Sequence, residues 1–198
     1  MLKKLDYPIL EFDNKSEPIV TAEAYNVYDE IGLRTNVKRC LLTFFPDVVG
    51  RLEGDFRLTQ AFRMRMEGVR PRVYTMKVGD EFIYVLPMPI GAPQAARCME
   101  MLGALGVSKF MVCGGGGTLD NKKTQNKVLV LDEAVRDEGT SYHYLPPARS
   151  VKINPEVLAK IEATLKAEAV NYIRCKTWTT DAIFRETKDK VALRKSEG

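Results

Sequence analysis

Four glycines stand together, Gly114, Gly115, Gly116 and Gly117, directly after the apolar run VSKFMVC. A row of bare main-chain amides can close around an anion. Gly91, in MPIGAPQ, offers a second place where a ligand can approach backbone. The helix expected after it adds free N–H groups and the positive end of a dipole. A glycine-rich loop is equally a tight turn, so the residues alone leave both readings open. The spacing fits neither G-x-G-x-x-G nor the Walker loop, which argues against dinucleotides and nucleoside triphosphates. Acid–base chemistry has two candidates. His143 is the single histidine and reads either as a general acid or as a packed or surface ring. Asp181, in TWTTDAIF, reads as a base, as an orienting carboxylate, or as a cap on neighbouring N–H groups. Cys113 has no base close in sequence and reads as a small core residue rather than a nucleophile. Cys40, Cys98, Cys113 and Cys175 are widely spaced, and no C-x-x-C occurs, which argues against zinc. They read as reduced thiols of a cytoplasmic protein. Arg136-Asp137-Glu138 reads by default as a solvated or ion-paired cluster, with Arg136 buttressing the pocket loops as the alternative, and Trp178 as core or interface rather than a base platform.

The elements that must position these residues are set by apolar periodicity. CLLTFF (Cys40 to Phe45) has strand length, and Pro46-Asp47 stops it and opens a helix carrying Val48, Val49 and Leu52. VYTMKV and EFIYVLP flank Gly79-Asp80, a two-residue hairpin signal. Pro93 suits a first helical position, with Ala95, Cys98, Met99, Leu102 and Leu105 at helical spacing and Gly106 as the stop. A strand at 107–113 completes a βαβ unit. Further strands are expected from Lys127 and at YIRCKTWTT, a helix capped by Asn154 with Pro155 first, and a last helix in DKVALRKS. The alternation predicts an α/β protein, a three-layer α/β/α sandwich around a central mixed, mostly parallel sheet. In such a sheet ligands sit outside the carboxyl ends of strands, and MPIGAPQ, CGGGGTLD and TWTTDAIF all leave such ends.

With 198 residues, a single domain spanning 1–198 is expected, with 1–35 as an irregular N-terminal arm broken by Pro8 and Pro18. Hydrophobic content of 45% and charged content of 28% fit a soluble globular chain. The net charge of +4 comes largely from the ends and outlines no nucleic-acid face. No apolar stretch approaches signal or membrane-span length, so no membrane partner is expected.

IGAPQAARCMEMLGALGVSKFMVCGGGGTLD, AVRDEGTSYHYLPP and KTWTTDAIFRET together resemble the purine and uridine phosphorylase family, over about residues 80–195. The resemblance implies cleavage of the N-glycosidic bond of a nucleoside by phosphate. The products would be free base and ribose 1-phosphate, with inorganic phosphate as cosubstrate, no metal or organic cofactor, and a homo-oligomer built from dimers. It places Gly91 and Gly114 to Gly117 beside phosphate and ribose, Thr180, Asp181 and Phe184 beside the base, and His143 within a family-like stretch. Departures are equally specific. Val112 stands where an arginine is usual, Gly115 where a serine or threonine is, and Ile183 at an aromatic position. FFPD replaces a Gly-Asp-Pro-x-Arg phosphate loop, leaving Arg51, Arg70 or Arg72 as alternative cations. The chain reaches Gly198 before a Glu-Met-Glu ribose segment. The alternatives are a nucleosidase that uses water and a catalytically impaired nucleoside-binding or scaffold homologue. The exposed edges expected of so short a chain point to an oligomer.

Overall fold

The computed structural model describes residues 2–24, 28–29, 36–66 and 68–198. They form two compact units, Ser16–Gly116 and Met1–Lys15 with Gly117–Gly198.

The first unit is a six-stranded sheet with helices. In chain order it contains β1 (Tyr28–Asp29), β2 (Arg39–Thr43), α1 (Pro46–Gly54), β3 (Leu58–Met64), β4 (Arg72–Val78), β5 (Glu81–Pro87), α2 (Ala92–Ala104) and β6 (Lys109–Cys113). The spatial order is β1-β3-β4-β5-β2-β6. Alternation along the strands sorts side chains onto two faces. Cys40 and Leu42 of β2 and Tyr84 and Leu86 of β5 pack with Cys98, Met101 and Leu102 of α2. Leu41 and Val85, on the opposite pleats, pack with Val49 and Leu52 of α1. Helices therefore cover both faces, as the α/β/α expectation requires. In β3 the adjacent Ala61 and Phe62 are both buried, and a register shift between Gln60 and Phe62 permits it.

The sheet is mixed as expected, but with more antiparallel pairing than the sequence suggested. β5, β2 and β6 are parallel, whereas β1, β3, β4 and β5 pair antiparallel. The hairpin at Gly79-Asp80 explains part of this, because Val78 lies opposite Glu81 and a two-residue turn joins only antiparallel neighbours. The β5-α2-β6 crossover exists, with β2 inserted between its two strands.

The second unit contains a 3-10 turn at Pro8–Leu10, α3 (Asn121–Thr124), β7 (Val128–Asp137), a 3-10 turn at Thr140–His143 and β8 (Ser150–Lys152). It continues with α4 (Pro155–Ala167), β9 (Tyr172–Thr180), a 3-10 turn at Ile183–Arg185 and α5 (Lys188–Ser196). β7 is central, antiparallel to β8 and parallel to β9. Asn154 Oδ1 caps α4 by accepting from the N–H groups of Glu156 (2.8 Å) and Val157 (3.4 Å). Glu162 of α4 receives two hydrogen bonds from Arg174 of β9, at 2.6 and 2.5 Å. Of the expected irregular arm, the 3-10 turn and β1 are the regular pieces described, and residues 25–27 and 30–35 lie outside the described residues.

Candidate functional site

Parallel register brings the carboxyl ends of β5, β2 and β6 to one rim, where Thr43 faces both Pro87 and Cys113. From that rim leave the loop to Gly91, the Phe44-Phe45 pair that opens α1, and the glycine run. Gly91 is the N-cap of α2 at φ 119°, a backbone region that favours glycine. Its carbonyl accepts from the Ala95 N–H at 3.0 Å, and no side chain caps this end.

The four consecutive glycines differ in what they meet. The Phe44 N–H donates to the Cys113 carbonyl at 3.0 Å, which lays the Phe44 ring over Gly114. A Cβ at Gly114 would stand 2.9 Å from Phe44 Cδ2 and 3.3 Å from Phe44 Cβ. A Cβ at Gly115 would make ordinary contact with Phe45, at 3.7 Å. At Gly116 and Gly117 no atom of the described residues lies within 4 Å of the position a Cβ would take, and neither has a left-handed φ. All four glycines are exposed. Close packing thus accounts for the first glycine of the run, and neither packing nor backbone conformation accounts for the last two. Val112, which stands where the resemblance has an arginine, is 58% exposed. Arg72 opens β4, whose amino end lies beside the carboxyl end of antiparallel β5, and its guanidinium is 4.0 Å from Glu53.

In the second unit the parallel strands β7 and β9 end side by side, with Asp137 opposite Thr180. The loop after β7 is braced from within. Arg136 is 5% exposed. It donates from Nε to Ser141 Oγ (2.8 Å), from Nη1 to the Pro146 carbonyl (2.8 Å) and from Nη2 to the Leu145 carbonyl (3.3 Å). Its guanidinium lies 4.4 Å from the centre of the Tyr142 ring. Glu138 accepts from the Ser141 N–H (2.9 Å) and from the Ser141 hydroxyl. The buttressing role read for Arg136 is therefore present in the fold.

The predicted residues after β9 lie on this frame. Thr180 Oγ1 accepts from the Ala182 N–H at 3.3 Å. Asp181 Oδ2 accepts from the Gly139 N–H at 3.0 Å. Phe184, in the following 3-10 turn, is 94% exposed, and Ile183 is 62% exposed. Asp181 also lines a cleft of about 460 Å³ with Tyr7, Ile9, Leu10, Arg136, Asp137, Glu138, Gly139 and Tyr142. His143 closes the Thr140–His143 turn and is exposed, outside that lining. Gly91 and Gly114 to Gly116 belong to the first unit, and Gly117, His143, Thr180, Asp181 and Phe184 to the second.

The sequence reading missed Tyr7, Ile9 and Leu10, although apolar residues in a polar arm were a usable signal. Of the solvated and ion-paired readings of Asp137, the second holds, with partners the sequence did not name: Oδ2 accepts from Trp178 Nε1 and Lys190 Nζ (both 3.0 Å) and from Arg194 Nη2 (3.3 Å). Burial pushes its carboxyl up, but the bonds from Lys190, Trp178 and Arg194 outweigh that and hold it below its ordinary value. Cys40 and Cys98 are buried thiols, pushed up to about 12 and about 11, chiefly by burial. Cys113, expected in the core, is exposed. It sits on β6, which ends the strand order of its sheet and is mostly exposed.

A family model described as the phosphorylase superfamily matches residues 38–198. The chain is 28% identical over 107 residues to a uridine phosphorylase of Haemophilus influenzae; the match takes in 54% of this chain and 42% of that protein. It therefore spans less than half the length of that curated relative. The solved uridine phosphorylase of Vibrio fischeri matches with a TM-score of 0.68 at 22% identity, over 82% of this chain and 68% of that one. The purine nucleoside phosphorylase of Toxoplasma gondii, solved with immucillin-H, matches at 0.68 and 18% identity, over 85% and 70%. Helicobacter pylori MTAN matches at 0.61 and 16%, over 80% and 73%. At these identities the structural likeness speaks to the fold, which is the nucleoside phosphorylase-like sandwich expected.

Proposed function

Starting from the chain's membership of the phosphorylase superfamily, we propose that it cleaves the N-glycosidic bond of a purine or pyrimidine nucleoside. A phosphate oxygen forms a bond to C1′ of the ribose as the C1′–N bond breaks, and the departing base takes up a proton. The products are free base and ribose 1-phosphate. Such a reaction asks the protein for placement and charge stabilisation more than for covalent chemistry. The observation that carries the reading is the pair Gly116 and Gly117. They leave main chain bare just beyond the rim where three parallel strands end, for no reason internal to the described residues. Gly91 and the uncapped start of α2 leave the same rim and suit an anion. The resemblance assigns Thr180, Asp181 and Phe184, in the second unit, to the base side, and in the first unit Arg72 is a cation beside the carboxyl end of β5.

One observation favours water over phosphate. Val112 and Gly115 lack the charge and hydroxyl that would hold phosphate, and a charge-assisted hydrogen bond contributes about 1.5–3 kcal/mol. Product analysis with and without inorganic phosphate separates the readings. Base release that requires phosphate and yields ribose 1-phosphate supports phosphorolysis. Release without phosphate, yielding ribose, replaces it with hydrolysis. Binding without release under either condition leaves a nucleoside-binding homologue. We propose a dimer-based homo-oligomer as well, supported by the exposed Met111 on β6 and Leu129 and Leu131 on β7. Among the described residues no helix is long and apolar enough to cross a membrane.

A further inference from the structure

Asp181 can be the acid–base group of the site or part of its frame, and its bond across the loops favours the second. The carboxylate does not reach back only to its own loop. Its Oδ2 accepts from the N–H of Gly139, 42 residues earlier in the chain. That donor is fixed in place. Gly139 lies two residues beyond Asp137, which sits opposite Thr180 across the β7/β9 pair. It also lies within the loop that Arg136 and Glu138 brace. The bond therefore ties the last residues of β9 to a rigid partner.

Downstream, Lys190 and Arg194 of α5 are held by Asp137, and the turn between Asp181 and α5 has few bonds of its own. After Thr180 Oγ1 accepts from Ala182, the backbone makes a short turn through Arg185 N–H to the Ala182 carbonyl (2.9 Å) and Glu186 N–H to the Ile183 carbonyl (3.3 Å). Ile183 and Phe184 project from this turn largely exposed. Their side chains are placed by the backbone turn and not by packing.

We infer that Asp181 is a positioning residue: its carboxylate clamps the end of β9 to Gly139 and so fixes the turn that presents Phe184 to the base. The inference rests on the nucleoside reading for the word base; the clamp itself does not. It requires an acceptor at this position and no titratable group. Asp181→Asn keeps an oxygen for the Gly139 N–H, whereas Asp181→Ala removes the acceptor altogether.

The test compares wild type with Asp181→Asn, Asp181→Ala, Phe184→Ala and the Asp181→Ala/Phe184→Ala pair, using the full chain. Amide hydrogen exchange without ligand reads the clamp directly. In Asp181→Ala, Gly139 and residues 182–187 exchange faster, roughly tenfold to hundredfold at Gly139, the factor carried by a hydrogen bond to a charged acceptor. Asp181→Asn, whose neutral oxygen makes a weaker bond, exchanges between wild type and Asp181→Ala, and amides of β7 are unchanged in every variant, which shows the fold intact. In nucleoside cleavage, Asp181→Ala and Phe184→Ala each raise KM with kcat within about twofold. The double variant is no worse than the worse single one, and Asp181→Asn keeps the wild-type pH profile. Two results overturn the inference: Gly139 exchange unaffected by Asp181→Ala, or Asp181→Asn losing kcat as fully as Asp181→Ala. If wild type cleaves no nucleoside, the functional reading fails and the exchange data alone decide the clamp.

Discussion

Replacing the glycines of the run one at a time by alanine separates two reasons for having glycine there. At Gly114 the new methyl would meet Phe44 Cδ2 at 2.9 Å and Phe44 Cβ at 3.3 Å. The ring can give way, since Phe44 is 36% exposed, but its Cβ is fixed by the backbone bond to Cys113. Overpacking of this kind costs about 1–3 kcal/mol, and the exposed ring places Gly114→Ala in the lower half, about 1–2 kcal/mol. For a chain of this length that lowers Tm by roughly 2–8 °C, from about 2–4 °C per kcal/mol. In a Phe44→Ala background the same substitution meets no ring, and most of its cost disappears. At Gly116 and Gly117 an added methyl enters open space with no left-handed φ to oppose it, so stability stays within about 0.5 kcal/mol. Those two positions show their effect when ligand is added. Thermal melts with nucleoside and phosphate raise Tm in wild type by mass action, and the rise shrinks in Gly116→Ala and Gly117→Ala. A neutral Gly114→Ala, or Gly116→Ala and Gly117→Ala that keep the full ligand-induced rise, would refute the reasoning.

Stability falls in acid. The Asp137, Glu162 and Glu197 carboxyls are all held below their ordinary values in the fold, so the unfolded chain binds protons first. Their contribution is complete above a pH of about 4, the unfolded carboxyl range, and is lost as pH falls through the lower folded values. Urea melts across pH 2–6 read this, and Asp137→Asn flattens the profile. Thiol titration of the native protein labels exposed Cys113 first and leaves Cys40 and Cys98 silent until unfolding, because burial holds both thiols protonated. Simultaneous labelling of all four would contradict the buried core. Arg136→Met removes the charged donor from the carbonyls of Leu145 and Pro146, residues that are themselves exposed, and costs about 1.5–3 kcal/mol in all, measured by urea unfolding.

Local signals carried much of the fold. Asn154 with Pro155, the Gly79-Asp80 turn and the spacing of Cys98, Leu102 and Leu105 each fix an element through residues a few positions apart, and α4, the β4/β5 hairpin and α2 lie where they point. What escaped was non-local or interrupted. LTQAFRM forms β3, but its register shift at Gln60 to Phe62 breaks the alternation that marks a strand. The insertion of β2 between β5 and β6 depends on pairing that no local window contains. Cys113 looked interior because KFMVC is apolar, and an apolar strand at the end of the strand order reads the same as one in the middle. The reason for Gly114 sits on Phe44, in another strand's loop, so the sequence showed the glycine without its cause.

The candidate site divides along the same line. RDEGTSYHYLPP is the stretch most readily recognised, and the structure shows what its residues do for one another. Arg136 holds two carbonyls and Ser141, Glu138 caps the turn at Ser141, and Gly139 offers its N–H to Asp181. Such a stretch is recognisable because each residue needs the next, and that mutual need concerns the shape of the frame. The departures from the family pattern fall elsewhere. Val112 and Ile183 are more than half exposed, and Gly115 lies in the exposed glycine run, where side chains meet solvent or ligand and not one another. A substitution in the braced loop would cost stability, whereas one at Val112 or Ile183 changes what the site can hold. The recognised stretch therefore argues for the frame of the phosphorylase superfamily, and under the function proposed above the exposed positions set whether phosphate or water attacks. Restoring the charge with Val112→Arg tests that division. It should leave stability nearly unchanged, as exposed substitutions do, while shifting base release toward dependence on phosphate. A loss of stability with no change in phosphate dependence would show that position 112 serves the fold instead.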